Sequence, residues 1–187
     1  ISVEGNFIKV ANNKGYGVAD IKGNLLQKPE FTFMANQNEN GMLGFSFPTL
    51  VQKRSKFGIL IKPGVEPTNY YDSLKILTDA MFAAKTKGGW QLINSQGQVK
   101  GVELYQQLEP FAGRIAPAMQ NGKWGFVSQA GNWVIKPQYQ AVLPFQKALT
   151  YVKLNGKWGV INMQGQWIQP AEYTGWEEIA GIRRLIK

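Results

Sequence analysis

The stretches Gly-Lys-Trp-Gly-Phe-Val at residues 122–127 and Gly-Lys-Trp-Gly-Val-Ile at residues 156–161 are two copies of one motif, separated by 34 residues. An aromatic residue at the same phase recurs through the chain, at Tyr16, Phe57, Trp90, Trp124 and Trp158. A second aromatic series keeps a period of 34, at Tyr71, Tyr105, Tyr139 and Tyr173. Such internal similarity predicts an array of one supersecondary unit, in which neighbours bury what a single copy cannot.

Each copy contains the sequence pattern of a β-hairpin. Asn155-Gly156 stands between two β-rich runs, and Asn121-Gly122 repeats it, which predicts two-residue type I′ turns because both turn positions need a positive φ. With that register Gly159 lies opposite Val152, and its missing side chain leaves a hole on one face of the strand. We therefore expect Gly159 and its counterpart Gly125 to admit a close neighbour.

The rest of the unit follows from the turn that comes after the hairpin. A glycine with polar neighbours at Gly23, Gly97, Gly131 and Gly165 leads into a third short run, so the unit is predicted to have three antiparallel strands. In the connection to the next unit, apolar residues such as Tyr139, Val142 and Phe145 recur every third position. That spacing predicts a single helical turn.

These elements predict an all-β chain, residues 1–187, that forms a single repeat array of about five three-stranded units. The units are predicted at approximately 5–34, 49–77, 81–111, 115–145 and 149–179, with a terminal strand at 181–187. Because the chain opens and closes on first-strand segments, we expect an open β superhelix or solenoid rather than a closed propeller. The repeat aromatics and glycines are therefore interpreted as structural, at Tyr16, Phe57, Trp90, Trp124, Trp158, Gly125 and Gly159.

Composition restricts the chemistry that the chain can perform. There are 21 Lys and Arg against 12 Asp and Glu, a formal charge of +9, and neither cysteine nor histidine is present. Thiolate sites, disulfides and the usual general base near neutral pH are thus excluded, and we expect no cofactor and no metal. The longest apolar run falls short of the roughly 20 residues of a membrane helix, so no membrane-spanning segment is expected. Lack of cysteine fits an extracytoplasmic compartment: periplasm, cell surface or medium.

The two motif copies, each followed by a glycine turn and an Ile-x-Pro or similar run, resemble the bacterial WG-repeat family, also called KWG repeats. The other copies are degenerate, because Gln91 follows Trp90 and because Phe57 and Tyr16 replace the tryptophan. The resemblance implies a bacterial β-repeat module, often exported, that mediates binding. It implies no catalytic residues.

The largest departure from the period is an insertion at residues 34–48, and insertions in repeat proteins often mark the binding side. Its aromatics Phe45 and Phe47 are either part of a strand of the second unit or exposed anchors for a partner. The basic residues Lys53, Arg54 and Lys56 follow closely. These five are the candidate binding residues.

Three classes of function remain open. The chain is most readily explained as a non-enzymatic module that binds another protein, for example as an inhibitor or immunity-type partner of a bacterial protein. The alternative is an electrostatic binder of acidic glycan, cell-wall polymer or nucleic acid, because residues such as Lys56, Lys123 and Lys157 share one phase. A hydrolase would need two close carboxylates with perturbed pKa values in one pocket, and we expect the chain not to be an enzyme.

Overall fold

The computed structural model describes residues 7–35 and 47–185, and for residues 181–185 it describes the backbone alone. Those ranges form antiparallel sheets and one helix, so the prediction of an all-β fold is confirmed. The contacts divide the chain into two compact units, Ile1–Thr86 with Ile93–Val99 and Lys87–Leu92 with Lys100–Lys187.

Five sheets are seen in the described residues, and each has open edges. Sheet 1 consists of β1 (Phe7–Asn12), β2 (Gly15–Asp20) and β3 (Leu25–Phe31). Sheet 2 consists of β4 (Phe33–Met34), β5 (Thr49–Lys53) and β6 (Lys56–Leu60). Sheet 3 consists of β7 (Leu74–Ile76), β8 (Met81–Thr86) and β9 (Gly89–Asn94).

The last two sheets have four strands each. Sheet 4 consists of β10 (Gln107–Leu108), β11 (Ile115–Gln120), β12 (Lys123–Ser128) and β13 (Trp133–Tyr139). Sheet 5 consists of β14 (Ala141–Val142), β15 (Leu149–Leu154), β16 (Lys157–Asn162) and β17 (Trp167–Tyr173). The helix α1 (Trp176–Leu185) follows β17.

The two aromatic series pair across strands. In all five pairs the aromatic of the hairpin lies opposite the aromatic that follows it by 14 or 15 residues: Tyr16 with Phe31, Phe57 with Tyr71, Trp90 with Tyr105, Trp124 with Tyr139, and Trp158 with Tyr173. Directly opposed side chains on one face are the stabilising unit of an antiparallel sheet. The period of 34 is therefore the period of a recurring cross-strand contact.

The hairpin turns have the predicted geometry. Asn155 and Gly156 have φ of 49° and 79°, and Asn121 and Gly122 have 50° and 71°, as a type I′ turn requires. In sheet 5 Val152 lies opposite Gly159, which confirms the predicted register.

The glycine that follows the aromatic is needed because the third strand crosses very close to it. A Cβ on Gly125 would lie 2.5 Å from the carbonyl oxygen of Ile135 and 2.8 Å from the nitrogen of Pro137. A Cβ on Gly159 would lie 2.6 Å from the carbonyl oxygen of Gln169. The third strand bulges at this place in sheets 1, 4 and 5, where the register shifts between the aromatic pair and the next pair.

Sheet 2 is covered by apolar side chains on both faces. Val51 and Leu60 belong to a core that includes Val18 and Phe31 of sheet 1. The adjacent residues Leu50 and Ile59 belong instead to a second core with residues of sheet 3, namely Leu74, Phe82, Ala84 and Ile93. Neighbouring residues of a strand face opposite sides, so stacking on both sides explains why both are apolar.

The same stacking holds sheets 4 and 5 together, and α1 covers the other side of sheet 5. Phe126 of sheet 4 packs with Ile161 of sheet 5 and with Phe145, which lies in the connection between β14 and β15. Tyr151 lies opposite Val160 in the hairpin, and its ring contacts Trp176 of α1 with centroids 5.7 Å apart.

The predicted terminal strand at 181–187 is wrong for the described residues, because Trp176–Leu185 form α1. Gly175 directly precedes the helix, and its N–H donates to Glu178 Oε1 at 3.0 Å; the hydroxyl of Thr174 also donates to this carboxylate. This carboxylate thus reaches back to the N–H of the residue before the first turn, as the glutamate of a capping box does. Ile179 is 3% exposed against sheet 5, and its burial favours the helix over a strand.

The predicted helical turn is also wrong for the connections that follow Tyr105 and Tyr139. Those residues form the short strands β10 and β14, and the N–H groups of Gln140 and Leu143 donate to Lys153 O at 2.8 Å and Tyr151 O at 2.9 Å. The backbone groups bond to the next hairpin rather than within a turn, which adds a fourth strand to sheets 4 and 5.

Gly125→Val and Gly159→Val are expected to lower the free energy of unfolding by at least about 3 kcal/mol, because the new side chain overlaps backbone atoms of the third strand. Chemical denaturation measures the loss. The control is Gly122→Ala, where no atom lies within 4 Å and only the φ of 71° opposes the change; its expected cost is about 1 kcal/mol. Parent-like unfolding of Gly125→Val would contradict the close crossing.

Candidate binding site at sheet 2

A cavity of about 430 Å³ opens beside the hairpin turn of sheet 2. The turn residues Arg54 and Ser55 join β5 to β6. The accessible wall is mainly carbon, and it is lined by Lys53, Arg54, Lys56, Glu66 and Tyr70. Three of the five predicted binding residues therefore line one cavity.

Lys53 is held inside a charged network. Its Nζ lies 3.0 Å from Glu30 Oε2 and 3.1 Å from Glu66 Oε1, and 5.8 Å from the ring centroid of Phe31. Burial alone would lower the pKa of Lys53, but the two carboxylates outweigh it and raise the pKa above its ordinary value. Burial likewise opposes the charge of Glu66, whose pKa is nevertheless lowered by hydrogen bonds from Lys53 and Tyr70. Both partners are therefore charged at neutral pH.

Tyr70 forms a wall of the cavity, and its ring occupies space that is open because the motif residue of sheet 2, Gly58, has no side chain. Its hydroxyl donates to Glu66 Oε2 at 2.9 Å, and burial followed by this acceptor raises the pKa of Tyr70 well above its usual range. A Cβ on Gly58 would lie 2.7 Å from Pro67 Cβ and 3.1 Å from Tyr70 Cε1. The space that a bulged strand fills in sheets 1, 4 and 5 is filled here by Pro67 and Tyr70.

Arg54 and Lys56 stand at the rim with their charges accessible. Lys56 forms an ion pair with Asp72, and the two side chains are 49% and 76% exposed. An exposed pair of this kind contributes about 0–1 kcal/mol and exchanges readily. The exposed side chain of Arg54 makes no ion pair within residues 7–35 and 47–185.

The remaining predicted binding residues are not seen in the cavity. Phe47 is half-buried, and its ring contacts that of Phe7 edge-on with centroids 5.3 Å apart. It packs against the core of sheets 1 and 2 and is not a wall of the cavity. Phe45 lies outside the described residues.

Glu66 and Tyr70 were missed by the sequence analysis. A usable signal existed for Tyr70, since it directly precedes Tyr71 and is therefore an aromatic out of phase with the repeat. Glu66 carries no such signal in the sequence, because its role depends on a contact with Lys53 across the chain.

The carboxylates of this network do not have the properties of an acid–base pair. A glycosidase needs one carboxylic acid with a raised pKa, whereas the pKa of Glu66 is lowered and both Glu66 and Glu30 bind the ammonium group of Lys53. Among the described residues no group of three or more Asp and Glu side chains could hold a metal ion. The absence of enzymatic activity stays a prediction.

Comparison with known families identifies the C-terminal motif copies. The family model described as WG containing repeat matches residues 124–158 and 158–175. Residues 124–175 therefore have the sequence of WG-containing repeats. This confirms the resemblance for that part of the chain. No curated protein matches the chain.

No helix of the described residues is long and apolar enough to cross a membrane.

The WG repeats of sheets 4 and 5 are a reference for the hairpin turn of sheet 2. At the positions of Asn121-Gly122 and Asn155-Gly156, sheet 2 has Arg54 and Ser55, with φ of 49° and 65°. Side chains other than Asn, Asp and Gly are disfavoured there by about 1–2 kcal/mol per residue. The turn geometry is thus kept although neither residue favours it, and such strain often accompanies function.

A second stabilising contact of the WG repeats is missing from this turn. In sheets 4 and 5 the turn N–H groups of Gly122 and Gly156 donate to Gln106 Oε1 at 2.7 Å and Gln140 Oε1 at 2.6 Å. Gln106 and Gln140 each directly follow the second aromatic of the preceding sheet, and for sheet 2 the equivalent residue is Thr32, which follows Phe31. The hydroxyl of Thr32 donates to the backbone carbonyl of Gln52 in β5 and not to the turn. The turn beside the cavity has therefore lost two features that stabilise its counterparts.

Replacing Arg54-Ser55 by Asn-Gly is expected to raise the free energy of unfolding by about 1–2 kcal/mol, because both new residues accept a positive φ. The reciprocal control puts Arg-Ser in place of Asn121-Gly122 and is expected to lower it by a similar amount. Urea unfolding compares the two variants with the parent. If the Asn-Gly variant were no more stable than the parent, strain at the turn would be refuted.

Proposed function

We propose that the chain is a non-enzymatic binding module that mediates a protein–protein interaction through the cavity at sheet 2. The observation that carries the proposal is that this cavity lies where sheet 2 departs from the WG pattern, with a strained turn and an out-of-phase tyrosine. Stability given up at a solvent-facing turn is typical of a site kept for recognition.

The charge balance of the cavity supports a protein partner over a polyanion. Three carboxylates stand among the cations Lys53, Arg54 and Lys56: Glu30 and Glu66 pair with Lys53, and Asp72 pairs with Lys56. A repeating polyanion would meet these carboxylates as well as the cations. Tyrosine and arginine beside a carbon-walled cavity are the residues that protein interfaces favour.

Binding of an acidic glycan, cell-wall polymer or nucleic acid is the alternative. Its support is the net charge of +9 together with Lys123 and Lys157, which are exposed at the first positions of β12 and β16. Such binding would weaken steeply with salt.

The wider proposal concerns architecture and setting. We infer an open superhelix, because α1 occupies the side of sheet 5 that a closed ring would need for its next sheet. The chain is proposed to act outside the cytoplasm as an inhibitor or immunity-type partner of a bacterial protein, which its lack of cysteine fits.

Affinity capture with charge-reversal variants tests the proposal. The parent is immobilised beside Arg54→Glu/Lys56→Glu and beside a control with equal net charge, Lys123→Glu/Lys157→Glu. Each is exposed to lysate and envelope fractions of the source at low and at high salt. We expect one protein to be retained by the parent and the control at both salt levels, and the cavity variant to retain it at least tenfold more weakly, because reversed charges at an interface repel.

Two outcomes contradict the proposal. If both variants retain the protein equally, the cavity is not its binding site. If high salt releases only anionic polymer, and both variants lose that polymer equally, the chain is an electrostatic binder.

A further inference from the structure

We infer that the cavity at sheet 2 binds a carboxylate carried on an apolar body, such as the C-terminal carboxylate of an apolar residue or an acidic side chain beside one. The inference rests on the proposed function and names the chemical group that the partner inserts. It follows from which charges of the cavity are already satisfied and from what its wall is made of.

Arg54 is the cation that lacks an acidic partner in the part of the chain that the structure describes. Lys53 is fixed between Glu30 and Glu66, so two carboxylates already bind its one positive charge. Lys56 pairs only with the exposed Asp72 and can exchange that partner for another carboxylate. Arg54 and Lys56 together therefore offer donors to one incoming anion, with the planar guanidinium suited to bidentate contact with a carboxylate.

The wall of the cavity favours an apolar group of the ligand over a second charged one. The accessible wall is mainly carbon and includes Tyr70. The hydroxyl of Tyr70 is already committed to Glu66, and Glu66 in turn accepts from Lys53. No further anion is needed there, and a volume of about 430 Å³ is in the range of pockets that hold a small organic group.

A phosphate-rich ligand fits this arrangement less well than a carboxylate does. Glu66 lines the cavity and Asp72 lies on Lys56, so two carboxylates stand close to the two accessible cations. Each added negative charge on a ligand would meet repulsion from them without a further unpaired cation. A single carboxylate matches the single unsatisfied charge of Arg54.

Titration with three dipeptides that share one apolar residue tests the inference. Acetyl-Gln-Phe with a free C-terminus carries a main-chain carboxylate, acetyl-Glu-Phe amide carries a side-chain carboxylate, and acetyl-Gln-Phe amide carries neither. Binding is followed by NMR at the backbone amides of Arg54 and Tyr70. We expect at least one charged dipeptide to bind saturably with a dissociation constant on the order of 1 mM, and the uncharged one at least tenfold more weakly.

Two variants test whether the dipeptide binds at Arg54. Arg54→Gln removes the unpaired charge without a change of turn and should weaken the charged dipeptide at least tenfold. Arg114→Gln, at an exposed arginine in the other compact unit, should leave it unchanged. Which charged dipeptide binds decides between a chain terminus and an acidic side chain as the natural source.

Equal affinity for the charged and uncharged dipeptides, or no saturable shift at Arg54 and Tyr70, overturns the inference. So does equal binding of the charged dipeptide to Arg54→Gln and to the parent. A captured protein that the Arg54→Glu/Lys56→Glu variant loses would in that case still support the cavity as a protein-binding site, with a different inserted group.

Discussion

The absence of a side chain at the motif glycine is the constraint on which the fold depends. Because Gly125 and Gly159 carry no Cβ, the backbone of the third strand crosses within contact distance and bulges. The bulge shifts the register of the third strand, and with that shift the second aromatic lies opposite the first, at Trp124 with Tyr139 and at Trp158 with Tyr173. Alternate faces of the strands then stay apolar and available for stacking on the neighbouring sheets.

The missing Cβ of the motif glycine also accounts for the cavity at sheet 2, where we propose the binding site. Gly58 of sheet 2 has no bulged strand above it, and Pro67 and Tyr70 fill the space instead. The hydroxyl of Tyr70 donates a hydrogen bond to Glu66, and Glu66 also accepts one from Lys53, so both side chains are held at the cavity. The scaffold glycine of a WG-type hairpin thereby makes room for Tyr70, which lines the cavity together with charged side chains. The proposed site lies where the repeat degenerates, whereas sheets 4 and 5 retain the regular pattern.

Local patterns in the sequence predicted much of the fold. Asn155-Gly156 predicts its turn because the two residues themselves favour a positive φ. The aromatic spacing predicts a repeated unit because it recurs, but it did not predict that the aromatics pair across strands. The pattern failed where one spacing is compatible with two structures. Apolar residues three apart after Tyr139 are compatible with a helical turn, yet their backbone pairs with the next hairpin. The equivalent spacing after Tyr173 does form a helix, α1. For the site, Lys53, Arg54 and Lys56 were predicted from charge, whereas Glu66 depends on a long-range contact.

Amide hydrogen exchange of the chain, alone and with its captured partner, tests the central claim that recognition occurs at the degenerate sheet 2 and not along the regular repeats. The account predicts that the partner slows exchange at residues 53–56 and 66–72 and leaves the turns at residues 121–122 and 155–156 unchanged. Slowed exchange at those two turns, with residues 53–56 unaffected, would contradict it.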